Sequence, residues 1–226
     1  MKYENVKKAK FISRPNRFIA HIEIDGKTEI AHVKNTGRCR ELLVPDAEIY
    51  VQEFDNTARK TKYDLIAVKK GDRLINMDSQ VPNKVFGEWV QNGKFTDGVK
   101  LVRPETFYGD SRFDFYIEAG DRRIFVEVKG VTLEENGIVR FPDAPTERGV
   151  KHLRELMRAK EEGYEAFVVF IVQMDNVSHF EPNDATHLEF GQALREAARN
   201  GVSVIALSCH ITPDSIDAVK EIEVKI

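Results

Sequence analysis

Gly120-Asp121 constrains this chain more than any other pair of residues, because it separates two β-branched and aromatic runs and fixes how they meet. The flanking stretch SRFDFYIEAGDRRIFVEVKG, residues 111–130, reads as two strands closed by a tight two-residue turn. Counting outward pairs Ala119 with Arg122, Ile117 with Ile124, Phe115 with Val126 and Phe113 with Val128, all on one apolar side. The other side pairs Tyr116 with Phe125, Asp114 with Glu127 and Arg112 with Lys129. Opposed side chains lie about 4.5–5.5 Å apart at Cβ, so this register predicts neighbouring carboxylates, a costly arrangement unless something compensates.

Two compensations fit the residues. One is a cation: the carboxylates of Asp114 and Glu127, with the backbone carbonyl of Val128, are hard oxygen donors of the kind Mg²⁺ or Mn²⁺ prefers. Lys129 on the same face would then contact phosphate and assist a metal-bound water. The other is a diagonal ladder of ion pairs, Asp114 with Lys129 and Glu127 with Arg112, which needs no metal.

The rest of the chain divides by texture. Residues 1–80 read as short strands broken by turns. FIAHIEI at 18–24 alternates, with Phe18, Ala20, Ile22 and Ile24 on one face, and Asp25-Gly26 turns it into KTEIAHV. AEIYVQEF and YDLIAVKK supply further strands, and the set predicts a small OB-like barrel. The first 40 residues hold ten Lys/Arg against four acids, an excess of +6 in a chain whose net charge is -3. That asymmetry predicts a basic face able to track phosphates, with a merely solvated surface as the other reading. Beyond residue 81, NKVFGEWVQNGKF predicts a helix over 83–95, capped by Asn83, with Val85, Phe86, Trp89 and Val90 on its apolar side. A second helix, in PTERGVKHLRELMRAKEEG, sets Val150, Leu153, Leu156 and Met157 inward and Arg148, Lys151, Glu155 and Arg158 outward, and ends at Gly163. YEAFVVFIVQ and VSVIALSCHI are apolar enough to be strands covered on both faces, with the helix HLEFGQALREAARNG between them. The predicted class is α/β (α+β), a mixed sheet flanked by helices behind the barrel, with domains at 1–80 and 81–226.

No apolar run is long enough to cross a bilayer and the first residues lack a secretory signal, so the expectation is a cytoplasmic protein with no membrane partner. Cys39 and Cys209 lie outside any metal or disulfide spacing and read as reduced thiols. His21 and His32, without metal spacing, read as structural.

Asp114 followed by Glu127-Val128-Lys129 resembles the acid and E-x-K signature of the PD-(D/E)XK nucleases. The wider set of NTG at 35–37, PN at 82–83, YGDSRFDF at 108–115, VEVKGVTL at 126–133, FPDAPTERGVKHLREL at 141–156 and VVFIVQ at 168–173 resembles the sugar fermentation stimulation protein A family along almost the whole chain. The resemblance implies an N-terminal OB-like domain, a C-terminal restriction-endonuclease-like domain and non-sequence-specific DNA binding. It also implies metal ligation by Asp114 and Glu127, with Lys129 as the catalytic lysine and Glu105 as a further acid or an ordinary surface glutamate. The expected function is a DNA-binding protein with a metal-dependent phosphodiesterase site. The alternative is a non-catalytic DNA-binding regulator of sugar (maltose-type) catabolism.

The expected partner is DNA, single- or double-stranded; RNA is not separated from it by any motif, and the oligomeric state is not readable. Arg14, Arg17, Lys34 and Arg38 in the barrel, and Arg148, Lys151 and His152 near the start of the second helix, are the expected phosphate contacts, with a solvated helix face as the other reading of the latter three. Gln173, at the end of a buried strand, reads either as a contact to a metal-bound water or as a strand-end polar residue.

Overall fold

The computed structural model describes residues 1–35 and 37–226; Thr36, the middle residue of the Asn-Thr-Gly motif, lies outside the described residues. The barrel is built from β1 (Val6–Asn16), β2 (Ile19–Ile24), β3 (Lys27–Val33), β4 (Glu48–Glu53) and β5 (Tyr63–Lys70). The strands run in the order β3-β2-β1-β4-β5, and β3 pairs back onto β5 to close the ring, while β6 (Arg73–Asn76) extends β5. Alternation supplies the interior: Ala20, Ile22, Ile24, Ile49, Val51 and Leu65 are all buried. Phe18 departs from the predicted face. It precedes β2 and is 48% exposed, with Arg17 over its ring.

The second half opens on α1 (Val81–Gln91), then β7 (Val99–Tyr108), β8 (Ser111–Ala119), β9 (Arg122–Val131), β10 (Leu133–Glu135) and β11 (Ile138–Phe141). There follow α2 (Glu147–Glu161), β12 (Glu165–Val172), β13 (His179–Pro182), α3 (Asp184–Arg199), β14 (Ser203–Thr212) and β15 (Ser215–Val224). All these strands join one mixed sheet, ordered β10-β11-β13-β15-β14-β12-β9-β8-β7, in which β9, β12 and β14 are parallel. Strand β12, between β9 and β14, is apolar from Ala166 to Val172 because both its faces are covered. Helix α1 lays Val85, Phe86 and Val90 on the face carrying Phe115, Ile117, Val126 and Val128. Leu153 and Leu156 of α2, with Phe190 and Leu194 of α3, cover the face of Phe125, Val168 and Phe170.

Two helix expectations need correction. Helix α1 begins two residues earlier than predicted, with Pro82 in its first turn, where a missing N–H costs nothing. Asn83 is therefore inside the helix and caps nothing. Thr146, by contrast, caps α2 by accepting the Gly149 N–H at 3.1 Å. Glu155, predicted to face outward, is buried, with its Oε2 3.6 Å from where a Cβ on Gly109 of the β7–β8 turn would lie.

The two halves are stitched by polar contacts. Gln173 donates to Asn76 Oδ1 at 2.9 Å and to the Asp78 carbonyl at 3.1 Å. Glu134, buried, takes Lys70 at 2.9 Å, Arg73 at 2.7 Å and the Gly137 N–H at 2.6 Å. Burial pushes its carboxyl up, but that N–H and the two cations outweigh it and hold the group at about 2, below its ordinary 4.5. Such a group stabilises the fold above the ordinary value and ceases to do so as pH falls through the folded one. Glu134→Gln is therefore expected to cost up to about 3 kcal/mol at pH 7. The difference should shrink between pH 4.5 and 2, as read by denaturant titration across that range.

Candidate functional site

The β8–β9 hairpin pairs as counted from Ala119↔Arg122 through Ile117↔Ile124 to Phe115↔Val126, and there the ladder ends. The next hydrogen-bonded pair would be Phe113 with Val128, but Asp114 intervenes. Its Oδ2 accepts the Val128 N–H at 2.8 Å, taking the place a Phe113 carbonyl would fill. The predicted pairing of Phe113 with Val128 therefore does not form, and the ladder does not extend to Asp114–Glu127 or Arg112–Lys129. Phe113 packs instead on Phe125, with ring centroids 5.2 Å apart, in the layer facing α2. In a strand the N–H and C=O of one residue point the same way, so the Val128 carbonyl is directed into the same opening.

Asp114 is held on its other side by Asn83, whose Nδ2 donates to Oδ1 at 2.8 Å. This is what Asn83 does in place of capping. Glu127 is buried, and its Oε1 takes both the Lys129 ammonium and His152 Nδ1. Its Oε2 is buried with no hydrogen-bond partner among the described residues. The two acids titrate in opposite directions. Burial, then the charge of Glu127, pushes Asp114 up, against the Val128 N–H, Lys129 and Asn83. Burial acts the same way on Glu127 but is outweighed by Lys129 and His152, and its carboxyl is held down. The diagonal ladder of ion pairs is not what compensates. Lys129 pairs with the glutamate on its own strand, and Arg112 pairs with Glu105 at 2.7 Å on the exposed surface. Glu105 is thus engaged by Arg112.

The expected phosphate contacts sort into exposed and sequestered groups, although of the exposed ones Arg148 also donates to His152 and Lys151 to the Asp110 carbonyl. Arg17, Arg38, Arg148 and Lys151 are exposed. Arg14 is spent on main chain: its terminal nitrogens donate to the carbonyls of Arg17, Asn35, Gly37 and Arg38 at 2.7–3.0 Å. Lys34 is mostly buried against Asp78 at 2.5 Å, with Asp64 at 3.9 Å. His152, expected at the surface, is 5% exposed and turned inward, because residues 149, 152, 153 and 156 share the buried side of α2. Both cysteines are buried free thiols, and burial pushes Cys39 up to about 12.

Two of the concavities beside the barrel share Gly37. One, of about 540 Å³, is lined by Arg14, Arg17, Arg38 and Arg40. The other, of about 170 Å³, lies in the seam between the halves among Asn35, Gly130, Arg140, Asp143 and Gln173. Gly130, in the second, directly follows Lys129. Gly130 is required by close approach, since a Cβ there would meet Gln173 Oε1 at 2.6 Å and the Pro82 ring at 2.8 Å, whereas at Gly37 a Cβ would meet the end of the Asp143 side chain. Sequence reasoning missed a separate grouping on the helical surface, where Glu147, His187 and Glu189 bring ligand atoms within 4.8 Å of one another. His187 interrupts helical geometry there, a break with no sequence signal such as Pro or Gly. Among the described residues no helix is long and apolar enough to cross a membrane.

A family model described as the sugar fermentation stimulation protein RE domain matches residues 80–215, and one described as the SfsA N-terminal OB domain matches residues 12–77. The sugar fermentation stimulation protein homolog of Desulfitobacterium hafniense (strain Y51) is 61% identical over 226 residues, covering 100% of this chain and 99% of the relative. The homolog from Clostridium beijerinckii is 60% identical over 217 residues, 96% of each. Among solved structures, that of Pyrococcus furiosus SfsA in complex with Ca²⁺ superposes with a TM-score of 0.91 at 30% identity, covering 100% of this chain and 98% of that one.

Proposed function

The chain belongs to the sugar fermentation stimulation protein family, and from that premise we propose that it binds DNA and hydrolyses phosphodiesters with a divalent cation, Mg²⁺ or Mn²⁺. The observation that carries this reading is the buried, unpartnered Oε2 of Glu127, a carboxylate whose charge acts on Asp114 where the strand ladder opens. A buried anionic oxygen without a partner is costly, and a cation is the group that satisfies it. Asp114, Glu127 and the Val128 carbonyl would hold that cation. The solved Pyrococcus relative with Ca²⁺ supports the choice of class, since Ca²⁺ and Mg²⁺ both seek hard oxygen donors and differ in size and ligand number.

When bound, the ion would supply Lewis acidity and a water of lowered pKa. Lys129 would stabilise negative charge on the phosphate oxygens as it develops. The exposed Arg17 and Arg38, beside the larger concavity, would carry the polymer toward the seam through Gly37, with Arg148 and Lys151 holding phosphates at the α2 end. Incubating purified protein with single- and double-stranded DNA and with RNA, with and without Mn²⁺ or Mg²⁺, tests the reading. Metal-dependent cleavage of DNA is the expected result. No cleavage of any of them under all metals would remove the hydrolytic half of it.

The ion pair between Lys129 and Glu127 favours a second reading, because a lysine tied to a ligand carboxylate is less free to meet a phosphate. In it the site grips nucleic acid without turnover, as a regulator of sugar catabolism would. Affinity would then fall steeply with salt and vary little with sequence.

A further inference from the structure

We propose that His152, steadied by Arg148, is a positioning residue that decides which oxygen of Glu127 is free for the cation, an inference that rests on the metal-site reading above. A glutamate's terminal torsion is soft and roughly two-fold, so nothing in the side chain itself chooses between Oε1 and Oε2. Here the choice is made from outside. Lys129 and His152 Nδ1 both sit on Oε1, which leaves Oε2 alone without a partner. Lys129 by itself is a flexible point charge that can follow either oxygen. The imidazole cannot, because α2 fixes its backbone and its ring is buried against Phe113, centroids 6.3 Å apart.

Arg148, one helical turn earlier and exposed, donates from Nε to His152 Nε2 at 3.3 Å. With Nε2 accepting, the ring proton belongs on Nδ1, where it donates to Glu127. The chain Arg148–His152–Glu127 thus runs from the protein surface to a ligand oxygen. Groups that orient a metal ligand in this way typically cost 10- to 100-fold in metal affinity when removed.

The test is calorimetric titration of Ca²⁺ into the full-length protein. His152→Leu fills similar space without the donor and is expected to weaken binding 10- to 100-fold. His152→Asn, whose amide nitrogen falls near the position of Nδ1, is expected to restore most of it. Arg148→Met, on the surface where folding is not at stake, is expected to weaken Ca²⁺ binding by a smaller factor. Unchanged Ca²⁺ affinity in both His152→Leu and Arg148→Met, with the wild type binding normally, overturns this inference alone. A wild type that takes up no Ca²⁺ overturns the metal site on which it stands.

Discussion

Asp114→Asn is expected to stabilise the metal-free protein at neutral pH while abolishing its response to divalent cation. In the native fold this carboxyl is pushed up by burial and by the charge of Glu127, and the Val128 N–H, Lys129 and Asn83 do not fully offset them. The folded state therefore binds the Asp114 proton more readily than the unfolded chain does. Its contribution to stability falls as pH rises through the window between the ordinary carboxylate value of 3.8 and the raised one. An asparagine carries no charge to bury, can still accept the Val128 N–H, and can meet Asn83 if that amide turns over. The variant should melt higher than wild type at pH 7, and the gap should close as pH falls toward the acid range. Cation acts in the opposite sense. At a concentration 100 times its dissociation constant, Ca²⁺ should add about 2.7 kcal/mol to the wild type. The variant should gain almost none. Melting curves with and without Ca²⁺ read both effects, and a variant that still gained the full increment would remove Asp114 from the ligand set. Such an exchange of stability for a charged site is common where function needs a strained arrangement.

Why these acids were visible in the sequence, and their supports were not, follows from the range of the interactions. The hairpin is local: Gly120-Asp121 fixes the turn, and its register is recovered to Phe115↔Val126 by counting alone. The count fails at Asp114 because the Val128 N–H goes to a side chain, and alternation contains no term for a carboxylate replacing a carbonyl. Strands β12 and β14 were legible because burial on both faces leaves a continuous apolar run. Strand β7 was not, since Pro104, Glu105 and Thr106 break the apolar pattern on what proves to be an edge strand. Asn83 finds its partner 31 residues away, a distance at which its capping propensity was the better local guess. His152 did carry a signal. The spacing that turns Gly149, Leu153 and Leu156 inward includes it, but its neighbours Arg148 and Lys151 suggested a basic surface. Charge counting likewise found the basic barrel and could not tell Arg38, which is exposed, from Lys34, which is held by Asp78.

Lys129→Met is expected to separate cation binding from turnover. The ammonium is the leading opponent of the burial that pushes the Glu127 carboxyl upward, and it sits on the oxygen opposite the unpartnered one. Methionine keeps the stem and removes the charge. Without its counter-ion Glu127 is left as a buried carboxylate held by His152 alone, so the metal-free variant should lose stability at neutral pH. It should regain that stability as pH falls and the carboxyl takes a proton. Ca²⁺ should bind the variant at least as well as the wild type, because a competing positive charge has gone and the ligand oxygens remain. Hydrolysis should behave otherwise. If Lys129 stabilises charge developing on the phosphate, its removal should lower the cleavage rate by about 10²–10³ at saturating cation. Calorimetry and a cleavage assay on the same preparation give the two numbers. Binding retained with cleavage lost assigns Lys129 to the chemistry, whereas parallel loss of both would make it a structural partner of Glu127. Under the regulatory reading there is no cleavage to lose, and because Lys129 is then tied to Glu127 rather than to phosphate, the same variant would leave DNA affinity and its salt dependence close to those of the wild type.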